Sequence, residues 1–240
     1  MCGRYATTRN SADLTTLFEA VDETDGALAP DYDVAPTDPV PIVRLSERLG
    51  GRALSVARWG LVPHWSARNA GAKMINARAE TVAKSSAYAP AFARRRCLVP
   101  ADGWYEWVRT GRSGRQPYYM TSGDGSPLAF AGLWTVTGAA AERLLTCSVI
   151  TSAALGDLGL VHDRMPLVLP PDRWDHWLRA PADDPSLLAP TPEPYVAALE
   201  IRPVGSAVGN VRNDGPHLVA RVDAAPLGAP AEEPADLRLF

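Results

Sequence analysis

Cysteine is scarce in this chain of 240 residues: Cys2, Cys97 and Cys147 are far apart and odd in number. That excludes a disulfide framework and fits a reducing compartment, so a cytoplasmic protein is expected. No CxxC or HxxxH spacing occurs, so no metal is expected, and no cofactor either. Long apolar runs are missing as well. Nothing approaches the roughly 18 apolar residues of a membrane span, and MCGRYATTRNSADL has no apolar signal-peptide region. Net charge is nearly absent, at -3, which at first argues against nucleic acid. What remains is ordinary: 46% hydrophobic and 21% charged, with 19 glycines and 22 prolines that favour short elements and many turns.

The charge distribution changes the first impression. Residues 223–240 carry a net of -3, so the rest of the chain sums to zero. Between His64 and Arg115 ten Lys/Arg face three Asp/Glu. A basic segment inside a neutral domain suits a phosphate-binding face, although a solvated surface reads the same way.

Ser11 followed by Leu14, Leu17 and Phe18 predicts a capped amphipathic helix. Pro36 disfavours helix at Ala35, so Tyr32–Ala35 is expected to be extended. Runs rich in branched and aromatic residues at 41–45, 54–59, 118–121, 128–136 and 144–151 predict strands. Residues 87–95 and 171–178 read as helices, 180–194 as a Pro-rich loop, and 224–240 as a flexible Ala/Pro/Glu-rich tail. The expectation is one α+β domain over residues 1–222, with a β-rich, barrel-like mixed sheet and a few short peripheral helices, followed by the tail.

Several polar clusters carry chemistry. Methionine removal before a small second residue would make Cys2 the N-terminus, with an amine and a thiol on adjacent carbons. The amine titrates near about 8, so part of it is free at neutral pH. It can condense with an aldehyde to an imine, and the thiol can then close a thiazolidine ring. In Ile75–Thr81 (INARAET), Asn76 and Arg78 share one face of an extended backbone and suit a phosphate or sugar oxygen. In Ala101–Trp107 (ADGWYEW), three aromatics surround Glu106, a setting that favours proton transfer, and the rings could stack on bases. His162 in VHDRMP could move a proton, with Arg164 on a phosphate. The turn Ala207–Gly215 could line an anion site with its amides.

Together MCGRYA, YDVAP, WGLVPHW, INARAET, PADGWYEW, VHDRMPLVL and AVGNVRNDG resemble, in content and order, the motifs of the SOS-response-associated peptidase family, from Met1 to about Gly215. The resemblance implies a suicide sensor of abasic sites in single-stranded DNA, linked through a thiazolidine on the N-terminal cysteine. Carried over by motif, Cys2 is the nucleophile, and Asn76 and Arg78 contact the sugar and phosphate. Glu106 and His162 handle protons. Arg4, Pro36, Trp65 and Arg164 lie where the family meets DNA, Trp65 as a wedge. One departure is Asp33 in YDVAP, where the family often carries Asn.

The expected activity is covalent cross-linking of abasic DNA, with weak lyase chemistry through the imine and self-processing at Met1, in a monomer that needs no membrane. Two other readings of the residues remain open here. An N-terminal nucleophile hydrolase would use the Cys2 amine as base and release ammonia from glutamine. A non-covalent single-strand binder would leave Cys2 idle and bind in a salt-sensitive way.

Overall fold

The computed structural model describes residues 2–63, 65–66, 74–111, 114–138, 143–225 and 227. The expected α+β architecture is there. Five of its strands close a ring: β4 (Pro39–Ser46), β5 (Gly51–Trp59), β7 (Arg96–Ala101), β10 (Leu128–Thr137) and β11 (Leu144–Ala153). β4 pairs antiparallel with β5 and β7, β7 with β10, and β10 with β11, while a parallel β11–β5 contact completes the circle. β2 (Ala20–Asp22), β6 (Asn76–Arg78) and β12 (Arg164–Pro166) add to its edges. A second, antiparallel sheet runs β13 (Leu199–Pro203), β9 (Gly114–Ser122), β8 (Gly103–Thr110), β1 (Tyr5–Thr7), β3 (Asp31–Val34).

Every strand signal in the sequence corresponds to a strand, each longer than its signal. Other strands, among them β1, β2, β7, β8, β12 and β13, lie outside those signals. β7 is buried at all six residues, so it lacks the alternation that marks a half-buried strand. β1 is only three residues long, and β13 is a partly buried edge.

The first helix, α1 (Ser11–Phe18), is capped one residue earlier than expected, by the Asn10 side chain accepting from the Asp13 N–H. It buries Leu14 and Phe18, four residues apart, and leaves Leu17 exposed. α2 (Ala89–Arg94) is shorter than its signal. The signal over 171–178 splits into a 3-10 turn at Pro171–Arg173 and α3 (Trp174–Arg179). The Pro-rich 180–194 stretch holds a 3-10 turn, Pro185–Leu188, which buries Leu187, and it leads into α4 (Glu193–Ala197). Of the expected tail only residues 223–225 and 227 are described.

The ring is tightly packed. A Cβ on Gly132 of β10 would lie 2.8 Å from Val99 and 2.9 Å from the Cys97 sulfur, so only glycine fits there. Arg96, counted in the sequence as part of a phosphate-binding face, is buried. Its Nε donates to the Trp177 carbonyl at 2.6 Å and it also bonds the carbonyls of Phe92 and Ala180, holding the end of α3 against the ring. Arg68, Lys73 and Arg112 of the same basic segment, and His64 at its start, lie outside the described residues.

Candidate active site

β1 runs between β3 and β8, and this placement carries Cys2 into the protein. Tyr5 pairs with Val34 on one side and Trp104 on the other, and the Tyr105 N–H donates to the Arg4 carbonyl at 2.9 Å. Carried on toward the N-terminus, this register sets Glu106 beside Gly3. Cys2 is fully buried and packs in the main apolar core. Burial pushes its thiol well above the usual range, the Glu106 carboxylate adds to the rise, and the Arg4 N–H opposes it. The thiol is therefore held protonated beside a buried carboxylate.

Asn76 reaches this point from another element. Its Nδ2 donates to the Cys2 carbonyl at 2.6 Å. Its own strand is fixed on three sides. The Ile75 carbonyl accepts from the Trp59 indole at 3.0 Å and the Val149 N–H at 2.9 Å, and the Tyr88 hydroxyl donates to the Asn76 carbonyl at 2.9 Å. Asn76 Oδ1 is buried with no hydrogen-bond partner among the described residues, so an acceptor waits beside Cys2 for a donor. Ala77 turns inward, and Arg78 lies exposed on the same side as Asn76, as the period-two reading predicts.

The VHDRMP segment packs against this strand through β11. The Thr151 carbonyl accepts both the Ala79 N–H at 2.9 Å and Arg164 Nη2 at 2.7 Å. His162 Nδ1 lies 2.9 Å from the Arg164 N–H and 2.8 Å from Asp163 Oδ1. A neutral ring accepts from the backbone there, and a protonated ring can pair with Asp163 instead. The histidine thus has a partner in either state.

Several expected roles read differently in three dimensions. Arg164 makes a two-pronged ion pair with Glu80, at 2.6 and 3.0 Å, so its charge is already neutralised. Arg4 pairs with Asp33 and also donates to the Val208 carbonyl at 2.9 Å. Burial pushes the Asp33 carboxyl up to about 6 despite that arginine. Trp104 and Tyr105 are buried in the core, so the base-stacking expected of them is sterically excluded. The Ala207–Gly215 turn is not an anion site. Asp214 caps the Tyr32 and Gly215 amides and, with Asp31, Asp33 and Asp38, lines an acidic hollow of about 250 Å³. Pro36 sits half-buried in the turn after β3, beside Thr37 at φ +83°. Trp65 is 63% exposed.

Sequence reasoning did not single out Tyr88, Thr151 or Glu80, which hold the site's walls together. Glu80 lies within INARAET and could have been flagged as the arginine's partner. Tyr88 and Thr151 sit in apolar runs that carry no polar signal.

A family model described as SOS response associated peptidase (SRAP) matches residues 1–211. The abasic site processing protein YoqW of Bacillus subtilis is 33% identical over 227 residues, covering 91% of this chain and 99% of the relative. Its counterpart YedK of Escherichia coli is 32% identical, covering 92% and 100%. Among solved structures, a phage-related protein of Bordetella bronchiseptica matches with a TM-score of 0.65 at 33% identity, covering 85% of this chain and 94% of its own. A protein of Bacteroides thetaiotaomicron shares the fold with a TM-score of 0.78 at 22% identity, covering 92% and 100%.

Proposed function

Because the chain belongs to the SOS response associated peptidase family, we propose that it processes abasic sites in single-stranded DNA by linking them covalently to Cys2. The observation that carries the reading is the meeting at Cys2 of two distant elements, Asn76 on its carbonyl at 2.6 Å and Glu106 beside its thiol.

The chemistry follows from those groups. After Met1 is removed, the free amine of Cys2 adds to C1′ of the ring-opened sugar, giving a carbinolamine that loses water to form an imine. The neutral thiol then adds to the same carbon, its proton passes to the ring nitrogen, and a thiazolidine closes. Glu106 is placed to relay protons in the dehydration and in ring closure. Asn76 fixes the Cys2 carbonyl, and so the direction of the amine, and its buried Oδ1 can accept from a sugar hydroxyl. His162 serves the sugar on the β11 side, and Arg78 takes the adjoining phosphate. Before the ring closes, the imine can also lose the 3′ phosphate by elimination, a weak lyase reaction. Self-processing at Met1 belongs to the same proposal.

An N-terminal nucleophile hydrolase would instead use the Cys2 amine as a base on the thiol and release ammonia from glutamine, whereas cross-linking needs an aldehyde on DNA. The test is to incubate the protein with a single strand carrying one abasic site and run a denaturing gel. A shifted band that survives heat and detergent, and is lost in Cys2→Ala, is expected. No band, a band that persists in Cys2→Ala, or ammonia release from glutamine would overturn the proposal.

A further inference from the structure

The strand that carries Asn76, β6, is three residues long and pairs only with β11 among the described residues. Successive peptide groups of a strand point to opposite edges, so half of its carbonyls face no partner strand. The Ile75 carbonyl accepts from the Val149 N–H at 2.9 Å, and the Ala79 N–H donates to the Thr151 carbonyl at 2.9 Å, both toward β11. The carbonyls of Asn76 and Arg78 therefore face the other edge, and the chain that follows takes both. The Arg78 carbonyl accepts from the Thr81 and Val82 N–H groups at 3.1 and 2.9 Å, opening a run of turns that leads to α2. The Asn76 carbonyl accepts from the Tyr88 hydroxyl at 2.9 Å.

Tyr88 is itself held firmly. Its N–H donates to the Ser85 carbonyl at 3.0 Å, and its carbonyl accepts from the Phe92 N–H at 2.8 Å in α2. Its ring packs on the apolar cluster that contains Leu61, Phe92 and Trp177. Burial pushes its hydroxyl above the usual range, with the Ser148 hydroxyl of β11 opposing. The phenol is therefore neutral, and a donor, at ordinary pH. One O–H group does for the open edge of β6 what a neighbouring strand would do.

The consequence reaches the site through Asn76, whose Nδ2 donates to the Cys2 carbonyl at 2.6 Å. That amide hangs from a peptide held by β11 on one edge and by Tyr88 on the other. Without the hydroxyl, the carbonyl of residue 76 loses its donor and the peptide gains freedom to turn. A misplacement of about 1 Å in a positioned group costs on the order of 100-fold in rate.

We propose that the Tyr88 hydroxyl is a positioning group for cross-linking. By fixing the Asn76 peptide from the open edge of β6 it sets the reach of the Asn76 amide to Cys2. It acts on the rate of adduct formation and not on DNA affinity. The inference rests on the reading of Cys2 as an abasic-site nucleophile, and Tyr88 works through Asn76, not on the reacting atoms.

The test is Tyr88→Phe, which removes the hydroxyl and keeps the ring that packs. Single-turnover cross-linking to an abasic single strand, over a range of protein concentrations in excess, gives a limiting rate and a half-saturating concentration. Tyr88→Phe is expected to lower the limiting rate roughly tenfold and to leave the half-saturating concentration unchanged. Anisotropy with a tetrahydrofuran abasic analogue, which has no aldehyde, should give equal affinities for parent and variant. In an Asn76→Ala background, followed over hours, Tyr88→Phe is expected to add no more than about twofold, because the amide it positions is already gone. A merely structural role would slow both backgrounds by the same factor. A limiting rate within about twofold of the parent, a slowing that saturating protein restores, or equal factors in the two backgrounds would overturn the proposal. Failure of the Cys2 reading would show separately, as no covalent adduct on aldehyde-bearing DNA from the parent protein.

Discussion

Replacing Asp33 with Asn tests the electrostatics of the N-terminal strand directly. Asp33 is nearly fully buried and paired with Arg4, yet burial outweighs the pairing and its carboxyl titrates at about 6 instead of 3.8. Between those two values the folded protein holds a proton that the unfolded chain has released. Stability therefore falls as pH rises from about 4 to about 6, and above that this contribution is flat. Between about pH 4.5 and about pH 7.5 the linkage amounts to roughly 2 kcal/mol. Asp33→Asn has no proton to release, so it removes that slope while Arg4 keeps its bond to the Val208 carbonyl. The assay is urea unfolding followed by tryptophan fluorescence at the two pH values, for parent and variant. Taking the parent-minus-variant difference cancels all other titrating groups that behave alike in both. The parent should lose about 2 kcal/mol relative to the variant on going from the lower pH to the higher. A difference that stays constant, or that moves in the parent's favour as pH rises, would refute the reasoning, because the Arg4 attraction would then outweigh desolvation.

Glu106→Gln should slow cross-linking by roughly 100-fold or more, as expected for loss of a proton relay, while the Cys2 thiol titrates lower because a neighbouring charge is gone. Rate measurements and thiolate absorbance read the two effects, and an unchanged rate or an unchanged thiol titration would count against this placing of Glu106. Glu80→Gln should release Arg164 from its two-pronged pair. If Arg164 then meets phosphate, the salt slope of single-strand binding steepens by about 0.7, whereas an unchanged slope assigns the arginine to structure alone. Gly103→Ala places a Cβ 2.4 Å from the Met120 carbonyl and 2.5 Å from the Tyr119 ring. That clash should cost about 2–3 kcal/mol and lower the melting temperature by about 5–10 °C, read by calorimetry.

Much of the β architecture was legible because its strands are half-buried or bounded by turns. The runs at 128–136 and 144–151 became β10 and β11 with small extensions, since branched residues between glycines, prolines and serines have few other options. β7 was hidden for the opposite reason: buried on both faces and opening on an arginine run, it has neither alternation nor apolar flanks. Asn76 and Arg78 were assigned to one face correctly because a two-residue spacing decides that locally.

Arginine roles were the least legible. Arg4, Arg78, Arg94, Arg95 and Arg164 are the same residue type in the sequence. Whether each meets phosphate depends on which carboxylates the fold brings within ion-pair distance. Asp33 stands 29 residues from Arg4, and Glu80 stands 84 residues from Arg164. The motifs' spacing cannot carry that information.

By itself the sequence determined which chemical groups this protein owns: a thiol at Cys2, an amide and guanidinium in step at Asn76 and Arg78, and a carboxylate among aromatics at Glu106. It also determined the strands that hold them, because side-chain branching and turn residues act over a few positions. Only the tertiary structure decided how those groups behave. Threading β1 between β3 and β8 buries the Cys2 thiol and keeps it protonated beside Glu106. The parallel seat of β6 on β11 brings Asn76 to the Cys2 carbonyl. Long-range ion pairs neutralise Arg4 and Arg164. The physical reason is one of distance: covalent neighbours fix local conformation, whereas burial and charge pairing are properties of what folding places nearby.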